Sequence, residues 1–290
     1  MTTAAEDTPR PVATTGRRSA MRRCLAAALA LVVAGASTPI AGQGPVAPQP
    51  AAPTEPGQVR VLTFNIHHAE GLDGKLDVAR IAQVIRDSGA QIVGLQEVDR
   101  GVERTGRRDL LKEIADLAGM QFAFGRNIDL QGGEYGNALL TTLPIVSEGN
   151  KPLPNSDGSE QRGALQVVLD VGGTQVLVLT THLDHRRDEA HRLAGADAIV
   201  DMLRAWGTGP VIAMGDFNDV PGSRTYTKLA GVLTDAWAAV GRGDGFTIPV
   251  EEPMRRIDWI LVRGLQPVRA EVLRTTASDH LPVVATLRLP

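Results

Sequence analysis

The 290-residue chain contains a single cysteine, Cys24, and it falls in an N-terminal segment with the marks of a removable leader. Past that point there is no thiol, which excludes disulfides, a cysteine nucleophile and thiolate metal ligands. Aromatic residues are scarce, ten in all, and none gather into a long hairpin suited to entering a membrane. The N-terminal apolar stretch Cys24–Ala36 is 13 residues long, short of the roughly 20 a membrane-spanning helix needs. Positive charge is also thin outside the leader. Segment 1–36 has five Arg against Glu6 and Asp7, a net of +3, and the whole chain is −3, which leaves about −6 for the rest. Such a balance argues against tight, sequence-independent DNA binding but leaves phosphate-ester chemistry open.

The leader reading rests on Arg17, Arg18, Arg22 and Arg23, the apolar stretch after them, and the small-residue site Ala34-Gly35-Ala36. Together they predict a secretory signal peptide over 1–36, with an uncleaved anchor as the alternative, and a secreted or periplasmic destination. The Pro/Ala-rich tract 37–57 reads as a disordered linker. Residues 58–290 are then expected to form one catalytic domain, monomeric and without stable membrane insertion once the leader is removed.

What is present in that domain is a repeated pattern, in which apolar runs end in polar side chains. Val59–Phe64 leads to Asn65, Ile92–Gln96 to Glu97, Val176–Thr181 to His182, and Pro210–Gly215 to Asp216-Phe217-Asn218. Arg256-Ile257-Asp258 and Ser278-Asp279-His280 follow near the C-terminus. Runs rich in Val and Ile read as buried strands, and their polar ends can converge at one edge of a sheet. Helical spacing is expected over 76–86, 109–118 and 188–206, with a short helix at 225–229. A hairpin is expected over 165–171 and 175–181, and strands over 257–262, 268–273 and 283–289. Helices early and antiparallel strands late predict an α/β architecture of packed sheets with helices outside.

Each polar end carries two readings. Asp216 and Asn218, two apart on an extended segment, point the same way and could handle an attacking water; they could equally form a turn with Asp219, Pro221 and Gly222. Asp279 and His280 suit acid–base work or a strand-entry cap. Asp258 could fix the tautomer of a histidine or pair with Arg255 or Arg256. Glu97 suits Mg²⁺, which prefers oxygen donors, or a salt bridge to Arg100 or Arg104. Asn65 could bond a catalytic acid or a phosphate, or end a strand as a turn residue. His182 could face phosphate charge or be a satisfied core-edge histidine.

Taken in order, Thr63-Phe64-Asn65, Leu95-Gln96-Glu97-Val98, Gly136-Asn137-Ala138, Thr181-His182-Leu183, Gly215-Asp216-Phe217-Asn218, Arg256-Ile257-Asp258 and Ser278-Asp279-His280 resemble the motifs of the endonuclease/exonuclease/phosphatase superfamily. The resemblance implies a four-layer α/β/β/α sandwich in which two mixed sheets pack together. It also implies a Mg²⁺- or Mn²⁺-dependent hydrolase of phosphate esters acting by in-line attack of water. The residue roles it implies are Glu97 as principal metal ligand, with Asn65 and Asp279 beside the metal. Asp216 would activate the water with Asn218, His280 would contact the phosphate with Asp258 as its partner, and His182 would face phosphate charge. Arg162 is a candidate phosphate clamp or a surface arginine paired with Glu160. Arg100, Arg104, Arg107 and Arg108 read as a solvated loop and helix start in preference to a phosphate-tracking patch. His67, His68, His185 and His191 read as solvated or supporting residues, and Tyr135 finds no assigned place. The substrate could be nucleic acid, a phospholipid head group of the sphingomyelin or phosphoinositide kind, or a small phosphodiester. A non-catalytic binding module would require a missing core residue, and none is missing.

Overall fold

The computed structural model describes residues 55–290; the expected leader and nearly all of the expected linker lie outside them. The chain runs β1 (Gln58–Asn65), α1 (Val78–Ser88), β2 (Ile92–Arg100), α2 (Leu110–Ala118), β3 (Gln121–Leu130), β4 (Gly133–Thr141), β5 (Ile145–Pro152), β6 (Gly163–Val171) and β7 (Thr174–His182). It continues through α3 (Ala190–Trp206), β8 (Val211–Asp216), α4 (Arg224–Ala230), β9 (Thr234–Asp235), α5 (Ala236–Val240), β10 (Asp258–Arg263), β11 (Gln266–Val272) and β12 (Val283–Arg288).

The strands form two six-stranded sheets, ordered β11-β12-β1-β2-β4-β3 and β5-β6-β7-β8-β10-β9. Each is mixed: β1 runs parallel to β2 and β7 to β8, and the other pairs are antiparallel. The expectation of antiparallel strands late in the chain therefore needs one correction. A parallel pair needs a crossover, and the long helix α3 supplies it between β7 and β8.

The layers follow from side-chain alternation along the strands. In β1, Val59 and Val61 enter the core between the sheets, with Leu165, Val178, Ile212, Met214 and Ile260 from the second sheet. Leu62 and Phe64, of opposite parity, pack under Ile81, Ile85, Leu110 and Ile114 of α1 and α2. Leu177, Leu179, Ala213 and Leu261 face α3 through Ala196, Ile199 and Leu203. Three apolar layers thus join four layers of secondary structure, the expected sandwich. Gly94 allows the sheets to approach, because a Cβ there would sit 2.9 Å from Thr180 Oγ1 and 3.0 Å from Met214 Cε.

Helices α1 to α4 lie within two residues of their expected spans, and α5 lies outside them. Asp77 caps α1 by accepting from Ala79 N and Arg80 N, Asp109 caps α2 by accepting from Lys112 N, and Gly89 and Gly119 end them in the left-handed conformation. Strand β5 has no such signature: its middle residues are exposed and polar because it is an edge strand.

Candidate active site

The parity that builds the inter-sheet core also builds a polar rim at one end of it. Val59 and Val61 lead to Asn65, Val176 and Val178 to His182, and Ile212 and Met214 to Asp216. Ile260 and Val262 share the parity of Asp258, and Leu139 that of Asn137. Strand pairing aligns these ends. Asp216 sits opposite His182 in the parallel β7–β8 ladder and opposite Asp258 in the antiparallel β8–β10 ladder. Behind the rim, Phe217 stacks on Trp259 with ring centroids 4.6 Å apart, and Tyr226 meets Trp259 edge-on at 5.1 Å. A good share of the few aromatics therefore anchors the strand ends that carry Asp216 and Asp258. Gly215 is required there, since a Cβ would fall 2.0 Å from Thr181 O.

Asp216 is the centre of the rim. Its Oδ1 accepts from Asn218 N at 2.9 Å, and its Oδ2 accepts from Asn65 Nδ2 at 3.0 Å. His182 Nε2 and His280 Nε2 lie 3.5 and 3.6 Å from the same Oδ2. The other nitrogen of His280, Nδ1, is 3.0 Å from Asp258 Oδ2. Ser278 Oγ donates to Asn65 O at 2.7 Å and ties the His280 loop to β1. Asn218 Nδ2 donates to Leu183 O, so this residue holds the turn and orients Asp216 through its backbone. The turn reading of Asp216 and Asn218 holds, and the turn leaves the Asp216 carboxylate in the polar rim.

Burial and charge set the protonation states. Burial pushes the Asp216 carboxyl well above the ordinary carboxylate range, and the nearby Asp258 charge adds to this. For His280 burial opposes the charged form, but the carboxylates of Asp258 and Asp216 outweigh it and hold the imidazolium. His182 is driven the other way, to the neutral form, by burial and by the Arg162 and His280 charges.

Arg162 is only 7 % exposed, which rules out a plain surface arginine, although its Nη1 does pair with Glu160 at 3.0 Å. Its Nε is buried without a hydrogen-bond partner, and its Nη2 lies 3.2 Å from His185 Nδ1. Asn137 Nδ2 and Thr181 Oγ1 both donate to Gly163 O and so fix the backbone beside it.

Glu97 lies at the half-buried edge of the site. The β2–β4 register shifts between Leu95 and Val98, and Glu97 itself has φ +59°. A bulge of this kind re-aims a side chain. Its Oε1 accepts from Asn65 Nδ2 at 3.0 Å. Asn65 Oδ1 is taken by His67 N, so its amide nitrogen is what faces both carboxylates. Neither expected arginine pairs with Glu97: Arg100 binds Asp109 and Arg104 binds the buried Asp99. Arg107 and Arg108 pair with Glu103 and Glu113, which accords with the solvated-loop reading of that cluster. Arg256 pairs with Asp235, leaving Asp258 to His280. Asp279 is half-buried, accepts from Ser278 Oγ at 3.3 Å and adds negative charge beside His280.

Three features escape a reading of the sequence. Tyr135 is buried across the ladder from Asp99, with Arg104 over its ring at 5.6 Å, and burial and the Glu97 charge raise its pKa. Asn137 is held between the sheets with its Oδ1 unpartnered. His67 and His68, expected to be solvated or supporting, are half-buried beside Glu97, the donor atoms of all three lying within 4.8 Å of one another. Along with Ala69 they form a run of positive φ (+43°, +42° and +64°), and Asn218 has φ +51°. Each such non-glycine residue costs on the order of 1–3 kcal/mol. A carboxylate, two imidazoles and the buried, unpartnered His68 Nδ1 suit a divalent cation. A second cluster among the described residues, Asp216, Asp258 and His280, is joined by its own hydrogen bond and ion pair, with Asp258 Oδ1 left unpartnered. His185 is engaged by Arg162, and His191 Nε2 pairs with Asp157 at 3.2 Å.

Residues 62–280 match the model of the family described as "Endonuclease/Exonuclease/phosphatase family". The chain is 31% identical over 252 residues to the uncharacterized protein YbhP of Escherichia coli strain K12, covering 81% of this chain and 98% of that protein. Among solved structures it is similar to an endonuclease/exonuclease/phosphatase from Beutenbergia cavernae, at 27% identity and a TM-score of 0.66, covering 80% of this chain and 72% of the other. It also resembles the mannosyl-6-phosphatase Bt3783 of Bacteroides thetaiotaomicron, at 23% identity and a TM-score of 0.68, covering 79% and 99%.

Proposed function

This chain belongs to the endonuclease/exonuclease/phosphatase family, and on that premise we propose that it hydrolyses phosphate esters with a divalent metal, Mg²⁺ or Mn²⁺, by in-line attack of water. The observation that carries the reading is the buried Asp216 held by Asn65 and Asn218 between a neutral His182 and a cationic His280.

In the mechanism Asp216 takes a proton from the attacking water, a task suited to a carboxylate whose pKa burial has raised toward neutrality. The water oxygen bonds to phosphorus as the P–O ester bond breaks on the opposite side. His280, kept charged and oriented by Asp258, donates to a phosphoryl oxygen where negative charge grows. His182 presents a neutral N–H to the same region, and Arg162 offers its partnerless Nε. Glu97, with Asn65 and Asp279 nearby, would hold the cation, which supplies Lewis-acid stabilisation of the phosphoryl charge. The basic, apolar leader supports an extracytoplasmic place of action.

The test is a parallel screen of bis-p-nitrophenyl phosphate, p-nitrophenyl phosphate, plasmid DNA, RNA, sphingomyelin and phosphoinositides, with Mg²⁺, Mn²⁺ or EDTA. Metal-dependent turnover of at least one ester, lost in EDTA and in Asp216→Asn, is expected. Absence of turnover with every metal would overturn the reading and favour a binding module.

A further inference from the structure

We propose that the metal site is built with nitrogen as well as oxygen, so that His67 and His68 join Glu97 as ligands and the site selects a transition ion such as Mn²⁺ over Mg²⁺. This deepens the hydrolase reading and rests on it for the presence of a cation.

The geometry points there through four observations. Donor atoms of His67, His68 and Glu97 all lie within 4.8 Å of one another. His68 Nδ1 is buried and unpartnered, in a side chain only 12% exposed. Its other nitrogen, Nε2, lies 3.5 Å from Glu70 Oε2. A carboxylate at one ring nitrogen is how metal-binding histidines are usually oriented, since it leaves the lone pair on the other nitrogen. The backbone is also closed around the imidazoles. Ala69 N donates to Ile66 O at 2.7 Å, Glu70 N to His67 O at 2.8 Å, Asp77 N to Ala69 O at 2.8 Å and Ile66 N to Gln96 O at 3.1 Å. The first three bonds close the left-handed run locally, and the Ile66–Gln96 bond ties its start to β2, the strand that carries Glu97.

The donor set decides the ion. Mg²⁺ binds oxygen and keeps its waters, whereas two imidazoles and a carboxylate suit Mn²⁺, Zn²⁺ or Co²⁺. Such a set leaves positions open to phosphate oxygens and water. Arg104 is hydrogen-bonded twice to Asp99 and makes no ion pair with Glu97, although its charge reaches both Glu97 and His68.

The full chain, stripped of metal with EDTA, is titrated calorimetrically with Mn²⁺ alone and with Mg²⁺ alone, and its Co²⁺ form is read by visible absorption. The variants are His67→Gly and His68→Gly, because glycine accepts the positive φ, together with His68→Asn, which tolerates it and replaces nitrogen by oxygen. Wild type should bind Mn²⁺ at least about tenfold tighter than Mg²⁺. Each histidine variant should lose about tenfold or more in Mn²⁺ affinity, change Mg²⁺ affinity less than about twofold, and alter the Co²⁺ spectrum. Unfolding midpoints of the metal-free proteins, at or above wild type for the glycine variants, separate ligand loss from misfolding. Mn²⁺ affinity within about twofold of wild type in all three variants overturns the proposal, and the hydrolase reading survives if wild type turns over an ester. Histidine-dependent Mn²⁺ binding without turnover of any ester supports the site and overturns the hydrolase reading instead.

Discussion

The two sheets are built alike where they meet the site, and they end differently. Each contributes a parallel pair joined by a helical crossover, β1–α1–β2 in one and β7–α3–β8 in the other. The first pair ends in Asn65 and a half-buried Glu97 re-aimed by a bulge, with strained imidazoles alongside. The second ends in His182 and Asp216, each 5 % exposed or less, with Asp216 held by hydrogen bonds from Asn65 and Asn218 and the neutral His182 3.5 Å from it. A carboxylate left partly open beside two imidazoles suits a cation. A carboxylate fully enclosed has its pKa moved and suits a proton. Under the proposed hydrolase reading, one architecture used twice would separate metal chemistry from proton chemistry, and Asn65 Nδ2 joins the two carboxylates by donating to both.

The largest expected effect falls on the proton side. Asp216→Asn should lower kcat by about 10³-fold while Mn²⁺ affinity, measured by calorimetry, stays within about threefold; a larger change in affinity would break the division of labour. His280→Ala should cost about 10²-fold or more in kcat, and a loss below about threefold would remove it from the phosphate. On the metal side, Glu97→Ala should raise the metal concentration for half-maximal rate by about tenfold or more, with part of the rate recovered at saturating metal. An unchanged requirement would take Glu97 off the ligand list.

Two smaller effects sharpen the comparison. The pH profile of kcat/KM should have its acid limb above the ordinary carboxylate value of about 4, because the raised Asp216 keeps its proton longer as pH rises. Its alkaline limb belongs to His280, and Asp258→Asn should move that limb to lower pH because a carboxylate that raises the His280 pKa is gone. Gly94→Ala should destabilise the protein by about 1–3 kcal/mol in denaturant unfolding, since its Cβ would press Thr180 and Met214 across the sheets. Its effect on the two chemistries should be equal, because it moves one sheet against the other.

The amino-acid sequence alone specified the apolar runs, the helical spacing over 76–86 and 109–118, and the polar strand ends. These are local properties, written in the period of side chains. It left edge strand β5 unmarked, because an exposed strand has no buried face to pattern. Which ends share a face depends on register between strands far apart in sequence, such as Asp216 against His182 and Asp258, and so is set by the folded sheets. The tertiary structure also decided that Arg104 goes to Asp99 and Arg256 to Asp235, choices among equally charged neighbours that spacing does not rank. The bulge at Glu97 and the left-handed turn at His67 and His68 are decided the same way. A non-glycine residue holds such a backbone only when the surrounding structure over-determines it, and one of the bonds that do so, Ile66 N to Gln96 O, exists only once β1 and β2 lie side by side.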